Sequence, residues 1–287
     1  MNFKLPVQEE NLRTNRAIHP ARSKVHEASG ILLDWDGCVT LADRPDEWAV
    51  QFIQERLEKV AIVSNNSTHL PEDFARTLAN AGVRMDPSRI ILAGIEALKR
   101  AVELAPRSVL VLGDGRIKAY ARSQGLPIVQ DYADLVVLLR DMRFSYSRLQ
   151  RAANCLKAGA RLIVANPDTT HPGSRGTILP ETGALHAALL ACLDGVDVET
   201  EVIGKPAPRL FERACRALDI SPQAAVMIGD NPATDIAGAD ALGMSSILVG
   251  VRSAIGFQDL VLDGTARRPA MSKIPPPRNR VAPVRSA

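Results

Sequence analysis

Aromatic side chains are scarce in this chain: they make up 4% of 287 residues, against 46% for hydrophobic residues of every kind. Cysteine is rarer still, with four residues, Cys38, Cys155, Cys192 and Cys215, in apolar or helical contexts and none in a CxxC spacing. That pattern excludes a disulfide framework and a thiolate metal site, and it reads as reduced residues of a cytoplasmic protein. No apolar run approaches the length of a membrane span, and the N-terminus lacks the charged-then-apolar pattern of a secretion signal. No internal repeat is present. A surplus of one charge sign is missing too, although the formal net charge is +3. The last 23 residues, Thr265–Ala287, hold six Lys or Arg, five Pro and no acid, so the rest of the chain stands at −3. A mildly acidic folded part gives no reason to expect nucleic acid as a partner, and the tail has the composition of a disordered segment. The length suffices for two modest α/β domains.

Four short segments carry chemistry. Ile31-Leu32-Leu33 runs into Asp34-Trp35-Asp36-Gly37, Val60-Ala61-Ile62-Val63 into Ser64-Asn65-Asn66, and Val226-Met227-Ile228 into Gly229-Asp230 with Asp235 following; Gly204-Lys205-Pro206 is the fourth. Apolar runs of this kind read as buried strands, so the segments should gather along one edge of a parallel sheet. Asp34 and Asp36, two apart, would point to one face of an extended strand. Neighbouring carboxylates repel unless a cation or a shared proton relieves them, and Mg²⁺ favours such hard oxygen ligands. Ser64 offers a hydroxyl, and the backbone N–H groups after it can form an anion-binding concavity, although these residue types also cap helices. Lys205 would supply a compact positive charge next to acids and a phosphate, with Pro206 leading into a helix over Pro208–Leu218. Asp230 is placed as a metal ligand and Asp235 as a partner behind it. Gly113-Asp114-Gly115 lacks the third glycine of a dinucleotide loop and reads as a strand-to-helix turn.

In this order the segments resemble the motifs of the haloacid dehalogenase-like superfamily. The resemblance implies a Rossmann-like α/β core and phosphoryl transfer through an aspartyl-phosphate. Asp34 would be the nucleophile and Asp36 the acid that protonates the leaving oxygen, then the base that activates water. Ser64, the Asn65 N–H and Lys205 would hold phosphoryl oxygens. Asp34, the Asp36 carbonyl oxygen and Asp230 would hold Mg²⁺, with Asp235 behind them. Cys38 stands where the superfamily often has Thr, and reads as a small buried filler.

About 140 residues separate Ser64 from Lys205, far more than a crossover connection needs. An inserted α/β module must lie there. Strands are expected at Val109–Leu112, Leu135–Leu139 and Leu162–Ala165; helices at Ile117–Ser123, Tyr146–Ala158 with Ser145 as cap, and Thr182–Leu193; and a loop at Asn166–Pro180. The insert is similar to the cap of the nitrophenyl-phosphatase-like group. That similarity implies a small phosphate ester as substrate (a sugar phosphate, glycerol phosphate, phosphoglycolate, pyridoxal phosphate or nucleotide) and pairing of two copies through the cap. Asn166 and Asp168 match the group's NPD pattern, and with His171 and Arg175 they make the loop the expected seat of specificity. The expected division is an irregular segment 1–27, a core of 28–86 and 196–264, a cap of 87–195 and the tail 265–287. Other readings weigh less. A phospho-accepting signalling domain needs no second acid at position 36 and no long insert. A silent binding protein should have lost one of Asp34, Asp36, Lys205 or Asp230. A mutase or other phosphotransferase of the same fold stays open.

Overall fold

The computed structural model describes residues 18–41, 44–172, 177–250 and 253–261. In chain order these form α1 (residues 18–27), β1 (Gly30–Leu33), β2 (Thr40–Leu41), β3 (Arg44–Pro45), α2 (Glu47–Arg56), β4 (Val60–Ser64), α3 (Pro71–Asn80), β5 (Ile90–Leu92) and α4 (Ala93–Glu103). The middle of the chain adds β6 (Val109–Leu112), α5 (Gly115–Ser123), β7 (Leu135–Leu138), α6 (Tyr146–Lys157), β8 (Arg161–Val164), β9 (Thr170–Pro172), β10 (Ile178–Pro180), α7 (Thr182–Ala191) and β11 (Thr200–Val202). It ends with α8 (Arg209–Ala217), β12 (Ala225–Gly229), a π-helical turn Pro232–Ile236, α9 (Ala237–Ala241), β13 (Ser245–Leu248) and α10 (Phe257–Leu260). Among the described residues no helix is long and apolar enough to cross a membrane.

Two parallel sheets organise these elements, in the orders β13-β12-β1-β4-β5 and β11-β8-β7-β6. β1, β4 and β12 are buried at every residue, as expected of parallel strands covered on both faces. Alternation along the second sheet sorts its side chains. Leu110, Leu112, Val136, Leu138, Leu162 and Val164 pack with Ala152, Leu156 and Leu189 of α6 and α7 in a cluster of their own. Val109, Val111, Leu135, Val137 and Ile163 point the other way, into the cluster that also holds Ile95 and Leu98 of α4 and the core strands. The inserted sheet and the core sheet therefore share one apolar interior.

The structure moves three expectations. Residues 18–27, expected to be irregular, are helical; Ala21 and Val25, four apart, bury one face of α1 in the main cluster. Both domain boundaries shift, because Ile90–Leu92 pairs with β4 in the core sheet and Thr200–Val202 with β8 in the inserted sheet. Three-residue strands carry no sequence signal for which sheet they join. The expected loop Asn166–Pro180 contains the antiparallel hairpin β9–β10. Residues 1–17, Arg175 and the tail 265–287 lie outside the described residues.

Candidate active site

The carboxyl ends of β1, β4 and β12 deliver Asp34, Ser64 and Asp230, and the chain returning from β11 delivers Lys205. The Asp34 N–H donates to Ile228 O at 2.9 Å, which extends the β1–β12 ladder by one residue. The Lys205 ammonium donates to Asp34 Oδ1 and to Asp235 Oδ1, each at 2.6 Å, and to Val63 O at 2.9 Å. All three of its protons are thus directed at oxygens, and its side chain is 2% exposed. The other carboxylate oxygen of Asp235 accepts the Asn231 N–H at 3.1 Å. Gly37 turns the chain at φ 83°, and a Cβ there would lie 2.5 Å from Asp230 Oδ2. Only glycine meets both demands.

Burial raises the Asp34 carboxyl well above the ordinary carboxylate range; Lys205 opposes this and the Asp235 and Asp36 carboxylates add to it. Asp230 is raised by burial and by Asp235. For Lys205 burial acts downward, but Asp235 and Asp34 outweigh it and hold the ammonium above its usual pKa. Oxygens of Asp34, Asp230 and Asp235 all lie within 4.8 Å of one another. Three carboxylates facing one ammonium leave negative charge in excess, and a hard-oxygen set of that sign fits a small dication.

Asn65 links this centre to the insert. Its Nδ2 donates to Asp168 Oδ2 at 2.9 Å and to Lys205 O at 3.1 Å, while its Oδ1 accepts the Lys205 N–H at 2.7 Å. Asn166 Nδ2 donates to Asn65 O at 2.8 Å and to Thr182 Oγ1 at 3.1 Å; Thr182 Oγ1 and Ser67 Oγ are 3.3 Å apart, and Ser67 Oγ accepts the Arg140 N–H at 3.0 Å. Ser67, Asn166 and Thr182 are buried. Close approach is built in: a Cβ at Gly94 would lie 2.6 Å from Ser67 Cα, and one at Gly204 would lie 2.6 Å from Asn65 Oδ1. Further out, His171 Nδ1 lies 2.6 Å and Arg140 Nη1 3.2 Å from Glu181 Oε1.

Asp34, Ser64, Asn65, Lys205, Asn166, Asp168, Asp230 and Asp235 therefore converge. Asp36 departs from the expected geometry, since its side chain is exposed and outside the carboxylate cluster. The cause is local. β1 ends at Leu33, and the next residues form a turn closed by Thr40 N–H to Trp35 O at 2.8 Å, so the two-residue period of a strand no longer applies at 36. The Asp36 charge still acts on Asp34. Ser64 Oγ accepts the Asn66 N–H at 3.1 Å, and Asn66 Oδ1 accepts the N–H groups of Thr68 and His69, so Asn66 closes the turn. Cys38 is buried with Sγ 3.5 Å from Ile228 O, and burial pushes its thiol up, in keeping with a filler. Sequence reasoning passed over Ser67, Arg140, Glu181 and Thr182. The available signal was Glu181-Thr182-Gly183 immediately ahead of a helix.

Residues 31–127 match a family model for haloacid dehalogenase-like hydrolases, and residues 202–255 match a second, HAD-hydrolase-like model. The D-glycerol 3-phosphate phosphatase of Mycobacterium tuberculosis is 33% identical over 255 residues, spanning 86% of this chain and 70% of that protein. A crystal structure of glycerol phosphate phosphatase from the same organism, in complex with magnesium, superposes with a TM-score of 0.71 at 32% identity, covering 79% of this chain and 70% of that one. The p-nitrophenyl phosphatase of Archaeoglobus fulgidus gives 0.70 at 26% identity, with 78% and 88% covered. The chain belongs to the haloacid dehalogenase-like hydrolases, among the nitrophenyl-phosphatase-like phosphoric monoester hydrolases that carry an inserted α/β cap.

Proposed function

We propose that the protein hydrolyses a small phosphorylated polyol or sugar through an aspartyl-phosphate on Asp34. The observation that carries this reading is the Lys205 ammonium held 2.6 Å from both Asp34 and Asp235, with Asp230 in the same carboxylate group. Asp34 attacks phosphorus and the ester oxygen leaves, taking a proton from Asp36. Asp36 then accepts a proton from the water that attacks the phosphorylated Asp34, so phosphate departs and both carboxyl groups regain their starting states. Exposure of Asp36 suits a group that must reach the leaving oxygen first and a water second. Lys205 keeps Asp34 in place against its burial and offers positive charge to the phosphoryl oxygens, beside Ser64 and the Asn65 N–H. Mg²⁺ held by Asp34, Asp230 and the Asp36 carbonyl would supply the further positive charge that a dianionic ester needs, with Asp235 behind them.

The choice of polyol or sugar rests on the cap groups tied around Asn65. Asn166, Asp168, Thr182, Glu181 and His171 offer amide, carboxylate, hydroxyl and imidazole, groups that pair with the hydroxyls of a polyol or sugar. The relative named for D-glycerol 3-phosphate accords with this. A phosphate-release screen with Mg²⁺ over glycerol phosphates, sugar phosphates, phosphoglycolate, pyridoxal phosphate and nucleotides tests it. Polyol or sugar phosphates should rank first, and a nucleotide in that place overturns the assignment.

A further inference from the structure

The role drawn above for Asn65, an N–H on phosphoryl oxygens, uses only its main chain. Its side chain makes three bonds of a different kind. Oδ1 accepts the Lys205 N–H at 2.7 Å and Nδ2 donates to Lys205 O at 3.1 Å, so one carboxamide brackets both main-chain groups of the residue whose ammonium sits on Asp34. The same Nδ2 donates to the cap carboxylate Asp168 at 2.9 Å. Both of its N–H donors are thereby directed at acceptors. A parallel route runs from Asn65 O through Asn166 Nδ2 at 2.8 Å, and from Asn166 Oδ1 to the Asp168 N–H at 3.1 Å. Gly204 leaves room for the arrangement, since a Cβ there would meet Asn65 Oδ1 at 2.6 Å and Asn166 Cβ at 2.9 Å.

We propose that the Asn65 side chain is a positioning residue that ties Asp168 of the cap to the backbone of Lys205, so that engagement of the leaving group by Asp168 alters how the Lys205 ammonium is held over Asp34. The proposal rests on the phosphatase reading. A planar amide shared between a carboxylate and a peptide group cannot change its bond to one without shifting against the other, and bonds in such a chain polarise one another. Small displacements matter here, because a reacting group misplaced by about 1 Å can lose roughly a hundredfold in rate. The coupling should therefore appear in kcat. An ester long enough to reach Asp168 gains turnover as well as affinity, whereas p-nitrophenyl phosphate, which offers no hydroxyl to Asp168, gains neither by this route.

The test uses the full chain with Mg²⁺, the polyol or sugar phosphate that the screen ranks first, and p-nitrophenyl phosphate. Wild type, Asn65→Ala, Asp168→Ala and the double variant are compared for kcat and KM separately, with thermal melting as the check on folding. Asn65→Ala should lower kcat on both esters by about tenfold to a hundredfold, and Asp168→Ala should lower kcat on the polyol ester by a larger factor than on p-nitrophenyl phosphate. In the Asn65→Ala background the further loss from Asp168→Ala should vanish. Effects that multiply, or an Asn65→Ala enzyme with wild-type kcat, overturn the coupling. If Asn65→Ala does not fold, Asn65→Asp with and without Asp168→Asn decides the matter, because both lose the donor to Lys205 O and keep the acceptor for the Lys205 N–H, and only the pair restores a donor–acceptor bond between 65 and 168. A double variant faster than Asn65→Asp alone supports the coupling, and one no faster refutes it. A wild type that releases phosphate from neither ester sinks the phosphatase reading itself, and the coupling with it.

Discussion

Lys205→Met is the most discriminating perturbation of the charge arrangement. Methionine keeps an unbranched stem of similar reach but removes the ammonium, and Asp34 and Asp235 then face each other in the interior with no counter-charge. Lys205, Asp34 and Asp235 are 2%, 7% and 1% exposed, so water does little to compensate. Removing one partner of a buried ion pair costs about 3–5 kcal/mol, which for a chain of this size is a fall in Tm of roughly 10 °C. The pH dependence carries the mechanism. The Asp34 carboxyl is already raised by burial, with Lys205 opposing the rise, and loss of Lys205 raises it further. A carboxyl whose folded pKa exceeds its unfolded value binds its proton more tightly in the native state. Stability then falls as pH rises from the unfolded value to the folded one. The deficit of Lys205→Met against wild type, measured by urea denaturation without metal, should therefore be larger at about pH 8 than at about pH 5. Lys205→Met with Asp235→Asn should recover part of it. An equal deficit at both pH values would mean that the loss is one of packing, and that the carboxylates do not depend on Lys205.

Asp34→Asn should abolish turnover and leave no phosphoprotein, whereas Asp36→Asn should still be phosphorylated by an activated ester and hydrolyse the adduct slowly; intact-protein mass spectrometry with peptide mapping to Asp34 checks both. Chelation by EDTA should stop hydrolysis of p-nitrophenyl phosphate, Mg²⁺ should restore it, and Ca²⁺, which accepts a looser and larger ligand set, should restore less. Gly94→Ala places a Cβ 2.6 Å from Ser67 Cα, a contact with backbone that no side-chain rotation relieves, and it should cost about 1–3 kcal/mol in a thermal or urea melt.

The parts of the site that were legible in the sequence are those that follow an apolar run without interruption. Asp34, Ser64 and Asp230 each follow a short apolar run that reads as a buried strand, so one-dimensional order predicts their convergence at a sheet edge. Asp36 was expected on the face of Asp34 because the strand period was carried past Asp34, where the β1 ladder ends, into the turn at Gly37. Ser67 and Arg140 left no trace, because a hydroxyl or a peptide N–H gains meaning only from a partner far along the chain: Ser67 meets Thr182 across 115 positions and Arg140 across 73. The exchange of Ile90–Leu92 and Thr200–Val202 between the two expected domains has the same origin, since the choice of sheet is made by pairing.

That pairing bears on how the cap works. The proposed two-step chemistry, with water excluded in the first step and one water admitted in the second, calls for a lid that closes. A rigid-body opening of this cap would have to separate Ser67 from Thr182 and from the Arg140 N–H, Asn166 from Asn65, and Asn65 from Asp168. It would also break a two-point ion pair, in which Arg116 of α5 donates through Nη2 to Asp73 Oδ1 at 2.8 Å and approaches Oδ2 through Nη1 at 2.6 Å. Each hydrogen bond exchanged for water costs about 0.5–1.5 kcal/mol, and the apolar face of β6, β7 and β8 that belongs to the main cluster would be uncovered as well. Against a total stability of about 5–15 kcal/mol for a typical domain, an opening of that extent competes with unfolding itself. Entry of an ester by shifts smaller than cap rotation would leave Asn65, Asp168 and Lys205 in contact through the chemical steps.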